Sequence, residues 1–417
     1  MRRANNQDAH AEVLASDLET WSERGHLFIV ADGMGAHAAG ELASKIAVDT
    51  VALTYHKERG QSPPEAVQHA MRHANAEIHE RGEANAEFHK MGTTCSALLV
   101  LPQGALVAHV GDSRVYRLRG TKLQQLTFDH SLVWEMRAAG QVPKEGEGSC
   151  AIPKNVITRS LGPHATVQVD IEGPFPTEIG DAFLLCSDGL TGRVHDEEIA
   201  LILSHFAPDE AVEFLVDLAN IRGGPDNITV TVLKVIGPHI ATRSSPREPL
   251  TVGGGQKVER TVHVSVWLTL GVALLAALVM AISGHLLIAT AGAFAALVAI
   301  LVALVQKFGL MESQGVKLSG GRKLGRGPHR QTDVPEVAQV VEAFMSELNQ
   351  AREAIQQRGQ SADQTEFEQC FQTVVKVVAE NDSHKALLSC RLAARSLAQL
   401  TRRNTGFDTT WGSLGRI

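Results

Sequence analysis

At 417 residues, 44% hydrophobic and 20% charged with a net charge of -7, the chain exceeds one ordinary core and has the balance of a globular protein of two or three units. That balance leaves no nucleic-acid footprint, so a DNA- or RNA-binding role is excluded. Five scattered cysteines, Cys95, Cys150, Cys186, Cys370 and Cys390, form no Cys-x-x-Cys pair, which excludes a disulfide framework or a zinc site and fits a reducing compartment.

No apolar stretch follows the basic residues of the N-terminus, so a secretory signal is not expected and the front of the chain stays where it is made. Runs such as Leu27 to Val30, Ala97 to Leu101 and Ile228 to Val232 predict strands. Helical spacing from Ala38 to Tyr55 and from Pro64 to about Phe88 predicts a helix pair after the first strand, with Pro64 suited to a first turn. The later strands follow one another across turns such as Arg119-Gly120-Thr121, without helices regularly between them, so the fold class is α+β. Residues 1–237 form this part, and residues 238–263 read as a linker.

Val264 to Ile282 and Leu286 to Val305 are apolar runs free of Asp, Glu, Lys and Arg, each near the roughly 20 residues that span a bilayer. They predict a transmembrane helical hairpin over 264–305, turning at Ser283-Gly284-His285. Lys and Arg flank it on both sides and are absent from the turn, so both long flanks are expected in the cytoplasm and the protein at the cell inner membrane. With no ionisable group inside either run, the hairpin is expected to anchor rather than transport. A basic linker follows over 306–332. Residues 333–417 predict a helical C-terminal domain, with Val337, Val340, Val341, Phe344 and Leu348 as the stripe of a helical core of its own and a second run from Phe367 to Leu400.

Aspartates recur at predicted strand ends: Asp32 after Phe28-Ile29-Val30-Ala31, Asp112 after Val110-Gly111, Asp188 after Cys186-Ser187, and Asp226 before Ile228. One alone reads as a turn or cap residue. Four of them beside glycine-containing turns read as ligands for hard divalent cations, which take carboxylate, carbonyl and water oxygens. Gly33, Gly189 and Gly224 let backbone approach, and the Gly33 carbonyl is a candidate ligand.

The ordered motifs Arg3-Ala4-Asn5-Asn6-Gln7-Asp8, Val30-Ala31-Asp32-Gly33-Met34-Gly35, Gly40-Glu41, Met91-Gly92-Thr93-Thr94, Gly111-Asp112-Ser113-Arg114, Asp129-His130-Ser131, Thr158-Arg159-Ser160-Leu161-Gly162, Ser187-Asp188-Gly189 and Asp226-Asn227-Ile228-Thr229 carry a family likeness. From Arg3 to about Val235 the chain resembles the metal-dependent protein phosphatases of type 2C, the PPM family, in its bacterial branch. The resemblance implies a central antiparallel β-sandwich flanked by helix pairs, with two Mn²⁺ or Mg²⁺ ions at one end and a weaker third. Asp32 would bridge the ions, the Gly33 carbonyl and waters would complete the ligands of the first ion, and Asp188 and Asp226 would hold the second ion. Asp8 would act through metal-bound water, Asp112 with Asp188 would hold the third ion, and Arg3 would bind phosphate. The implied reaction is hydrolysis of phosphoserine or phosphothreonine in phosphorylated proteins by direct attack of activated water, within a bacterial Ser/Thr kinase system.

Three departures stand out. Met34 occupies the place of a His proposed as general acid in eukaryotic relatives, Ala36 replaces a glycine, and relatives carry an edge strand upstream of the first motif, so Arg3 is expected to be held less firmly. His69 and His73, though at i, i+4 spacing, read as a helix surface and Cys186 as core. The alternatives are a catalytically weak phosphoprotein-binding membrane scaffold, and a phosphatase acting on a phosphoserine antagonist of a sigma factor.

Overall fold

Apolar runs broken by turn residues fold into two antiparallel sheets. The structure is a computed structural model of the chain and describes residues 5–35, 38–143, 152–153, 156–242, 250–252, 264–284, 290–291, 293–294, 296–298, 300, 316–318, 323–357, 364–380 and 382–405. The first sheet holds β1 (Asp8–Val13), β2 (His26–Met34), β4 (Cys95–Leu101), β5 (Gly104–Val110) and β8 (Asp170–Phe175) in that order, with the short β3 (Gly92–Thr93) on the end of β2. The second runs β10 (Val230–Lys234), β9 (Ala182–Cys186), β6 (Arg114–Arg119), β7 (Lys122–Gln125) and β13 (Arg330–Asp333).

The facing sides share one buried cluster, in which Phe28, Val30, Leu98, Val100 and Val107 meet Val115, Phe183, Leu185 and Leu233. Helices cover the outer sides. On the first sheet, α2 (Ala39–Lys57) lies on β1 and β2, and α3 (Pro63–Ala84) lies on α2 and β5. Strands β4 and β5 are therefore buried along their whole length, which is why they read as unbroken apolar runs instead of alternating ones. Pro63 and Pro64 open α3, and Glu65 reaches back to Ser62, so the helix starts where missing amide donors are harmless. Short helices α1 (Leu18–Glu23), α4 (Leu132–Ala138) and α5 (Asp188–Thr191) occupy connections.

On the second sheet lie α6 (Asp196–His205) and α7 (Pro208–Ile221). Against α7 pack the C-terminal helices α9 (Val337–Gln357) and α11 (Ser383–Thr405), and α10 (Gln364–Ala379) packs on α11. Their apolar stripe does not close on itself. Phe344, Leu348, Phe371, Leu387 and Leu397 join Phe206, Phe214, Leu215 and Leu218 in one buried cluster, with the Phe214 and Phe344 rings edge to face at 5.6 Å. Arg222 adds a fork to Glu198 and Glu347, tying α6 and α9 to the end of α7. Residues 1–250 and 318–417 make one compact unit and residues 251–317 a second.

The second unit corrects the membrane expectation. Among the described residues no helix is long and apolar enough to cross a membrane. The first apolar run folds as α8 (Val264–Ile282). Most of the second run, 286–305, lies outside the described residues. The architecture of a sandwich followed by a transmembrane hairpin, and with it the placement at the inner membrane with cytoplasmic flanks, is withdrawn. A hairpin needs two spanning helices, and the described residues supply none. The paired strands β11 (Leu250–Val252) and β12 (Val316–Leu318) stand where this segment begins and ends.

Candidate metal centre and cleft

Several strand ends bring carboxylates to one end of the sandwich. The β1–β2 register sets Asp8 opposite Asp32. Asp188 opens α5 directly after β9, while Asp226 precedes β10, whose Val230 pairs with Cys186 at the end of β9. Asp112 occupies the turn between β5 and β6 and is 8% exposed. Such close approach needs glycine at two points. A Cβ at Gly33 would collide with the carbonyl oxygens of Gly40 and Gln7, and one at Gly189 with that of Asn227.

Hydroxyl and amide side chains hold the acids in place. Asp8 Oδ2 accepts from Ser187 Oγ at 2.8 Å and from Thr229 Oγ1 at 2.7 Å, and Thr229 N–H in turn donates to Ser187 Oγ at 3.0 Å. The Asp32 N–H donates to Thr94 Oγ1 at 2.8 Å, while its carbonyl accepts from Thr93 Oγ1 and from the Thr94 N–H, both at 2.9 Å. Asn227 accepts from the Gln7 N–H at 3.0 Å and donates to Asn5 O at 3.1 Å, tying the approach to β1 to the loop that carries Asp226.

The carboxylates perturb one another. Burial pushes Asp8 up to about 6 against its two hydroxyl donors, and Asp188 and Asp226 add to the rise. Asp32 stands well above the usual carboxylate range, first through burial and then through Asp8, Asp188, Asp112 and Asp226. Burial, with Asp188 and Asp129, takes Asp112 up to about 8, partly offset by Arg114. Asp8 Oδ1 is buried and makes no hydrogen bond. Acids that repel at close quarters, one with an orphaned oxygen, fit a divalent cation in charge and in donor type. Among the described residues no three His, Cys, Asp or Glu side chains converge tightly enough to hold a metal by themselves. The two observations agree for a hard ion that keeps several waters, because carboxylates then surround its hydration shell instead of caging it directly.

From Asp112, Asp188 and Asp226 a cleft of about 480 Å³ opens between α4 and the turn after α5, walled also by Arg114, Trp134, Arg137, Arg193 and His195. A void of this size admits an extended peptide segment. Its inner wall is rigid. Arg114 forks onto Asp129 at 2.7 and 2.9 Å and lies over the Trp134 ring at 5.1 Å. His130 accepts from the Gly111 N–H at 3.0 Å and pairs with Asp170 at 3.0 Å, fixing the turn that carries Asp112.

Asp8, Asp32, Gly33, Asp112, Asp188 and Asp226 thus meet at one end of the sandwich, and Arg3 lies outside the described residues. His69 sits beside Glu58, half exposed on α3. The sequence reading gave no role to Ser187, Thr229, Thr93, Thr94 or Asn227. For Ser187, Asn227 and Thr229 the signal was position, since each lies within three residues of an aspartate, whereas Thr93 and Thr94 stand far from any in sequence.

The sequence profile of the family described as Protein phosphatase 2C matches residues 2–220. Protein phosphatase PhpP of Streptococcus pneumoniae serotype 2 is 37% identical over 238 residues, covering 56% of this chain and 93% of that protein. The serine/threonine phosphatase stp of Listeria monocytogenes serotype 4b is 38% identical over 214 residues, 50% of this chain and 84% of that protein. Among solved structures, the catalytic domain of the serine/threonine protein phosphatase PstP, in complex with two manganese ions, is 34% identical and covers 56% of this chain and 92% of that one, at a TM-score of 0.47.

Proposed function

The chain belongs to the protein phosphatase 2C family of metal-dependent serine/threonine phosphatases, and from that premise we propose that it hydrolyses phosphoserine and phosphothreonine in phosphorylated proteins at the carboxylate cluster. The observation that carries the assignment is the convergence of five buried or half-buried aspartates, one with an orphaned oxygen, at the mouth of a peptide-sized cleft.

Asp32, the Gly33 carbonyl, Asp188 and Asp226 are the groups to hold two Mn²⁺ or Mg²⁺ ions, with Asp112 and Asp188 facing a third. Bound there, such ions would ease deprotonation of the attacking water and would supply a positive field for the phosphoryl oxygens. Asp8, fixed by Ser187 and Thr229, keeps its other oxygen buried and unbonded, and that oxygen would orient a water by accepting a hydrogen bond from it. Arg3 is assigned to the phosphate, whose dianion suits a planar guanidinium fork. Met34 has no exchangeable proton, so the leaving oxygen takes its proton from water or another residue. Trp134 and Arg114 form the wall along which the peptide on one side of the phosphorylated residue lies. The partners are phosphoproteins made by a bacterial Ser/Thr kinase.

The test is phosphate release from a phosphothreonine peptide by the full chain with and without Mn²⁺. Release only with Mn²⁺ is expected; binding of the peptide without release in either condition would favour a phosphoprotein-binding module.

A further inference from the structure

The family match ends at residue 220, yet a segment far downstream is built into the sandwich. From Leu324 to Asp333 the chain runs along the free edges of both sheets. Leu324 and Gly173 of β8 exchange backbone hydrogen bonds. The Gly327 N–H donates to Glu172 Oε2 at 2.7 Å, and His329 Nε2 meets Glu172 Oε1 at 3.0 Å. β13 then pairs with β7, with Arg330 opposite Gln125. Register on a paired strand decides which face each side chain takes, and here it delivers Arg330 to the start of α6. Its Nε stands 3.2 Å from Asp196 Oδ2.

Asp196 is 6% exposed, and its other oxygen accepts from the Tyr116 hydroxyl at 2.9 Å and stands 3.8 Å from Arg114 Nη1. Arg114 donates to the same hydroxyl at 2.8 Å and forks onto Asp129. Gln125, the residue that pairs with Arg330, donates to Asp129 at 2.7 Å. Arg114 and Asp112 face the same cleft. A guanidinium beside a cation site is a rival cation, because swung onto Asp112 it would form an ion pair that a divalent ion must break. Asp129 holds it on one side and Asp196 on the other. Arg330 places the Asp196 carboxylate, so losing either one removes the hold on the side of Arg114 that Asp129 does not cover.

We infer that Arg330 is a positioning residue for the carboxylate centre: through Asp196 it fixes Arg114 in a place that leaves Asp112 open to a metal ion. The site is then completed by a strand that follows the second unit in sequence and that the family match does not include. The inference rests on Asp112 facing a metal, as proposed above.

The test compares the full chain with Arg330→Gln, Arg330→Lys and Asp196→Asn, and with Arg391→Gln as a control that loosens α11 on α7 without touching Asp196 or Arg114. Mn²⁺ binding is measured by calorimetry without substrate, beside thermal melts and the fluorescence of Trp134, identified by subtracting a Trp134→Phe chain. Arg330→Gln is expected to weaken Mn²⁺ binding roughly fivefold or more and to shift the Trp134 signal. Arg330→Lys recovers most of both, Asp196→Asn acts in the same direction as Arg330→Gln, and Arg391→Gln lowers the melting temperature alone. Unchanged Mn²⁺ binding in folded Arg330→Gln and Asp196→Asn chains overturns the inference, as does an equal loss in Arg391→Gln. A parent chain that binds no Mn²⁺ overturns the metal assignment and takes the inference with it.

Discussion

Removing divalent cations should make the stability of this protein fall as pH rises from about 4 to about 8. Asp8 titrates near 6 in the folded chain against 3.8 in the unfolded one, and Asp112 near 8. A carboxyl whose folded value is raised binds more protons folded than unfolded, so its contribution is intact below about 4 and is lost as pH climbs through the folded value. For Asp8 alone the change is worth on the order of 3 kcal/mol, since each pH unit corresponds to about 1.4 kcal/mol. Asp112 acts in the same direction over a wider range. At roughly 1–2 °C per kcal/mol for a unit larger than 250 residues, Asp8 alone should lower the metal-free melting temperature by roughly 3–6 °C between about pH 4 and pH 8. A bound cation compensates the carboxylates and removes that slope, so the Mn²⁺-induced shift should be large near pH 8 and small near pH 5. Circular-dichroism melts of the full chain in chelator and in Mn²⁺ read both. A metal-free melting temperature that stays level or rises over this range would refute the electrostatic account of the cluster.

Three further outcomes follow from packing. Thr229→Val removes a donor from Asp8 and leaves a buried carboxylate oxygen under-bonded, costing about 1–3 kcal/mol in a denaturant melt and lowering Mn²⁺-dependent phosphate release; unchanged melts and rates would remove Thr229 from the site. Gly189→Ala drives a methyl into the Asn227 carbonyl, so the chain should fold poorly or show weakened metal binding by calorimetry. Phe344→Ala opens a cavity between α7 and α9 and should cost about 3–5 kcal/mol in a single cooperative transition; a separate low-temperature transition for the C-terminal helices would show that they form a core of their own.

The sheet-forming runs were legible because burial on both faces leaves an unbroken apolar signature, as in β4 and β5. The acids were legible because strand ends that feed glycine turns are where loops project, and their convergence needed the β1–β2 register and the β9–β10 pair to become visible. The hydroxyl supports were missed for a physical reason. Ser187, Thr229 and Thr94 matter through single hydrogen bonds, and a threonine that bonds a ligand looks in sequence like any strand threonine. The stripe on α9 carries the right periodicity for burial, but periodicity does not name the partner, and here the partner is α7. Residues 324–329, basic and without pattern, read as linker because their order comes from edge pairing and from Glu172, neither of which leaves a local trace.

Calorimetric titration of Mn²⁺ into the full chain and into Asp32→Asn, followed by phosphate release from a phosphothreonine peptide by the same two samples, tests the metal centre most directly. The account predicts tight binding and release by the parent chain, with both lost in a folded Asp32→Asn protein; equal Mn²⁺ binding by the two, or release that survives the substitution, would contradict it.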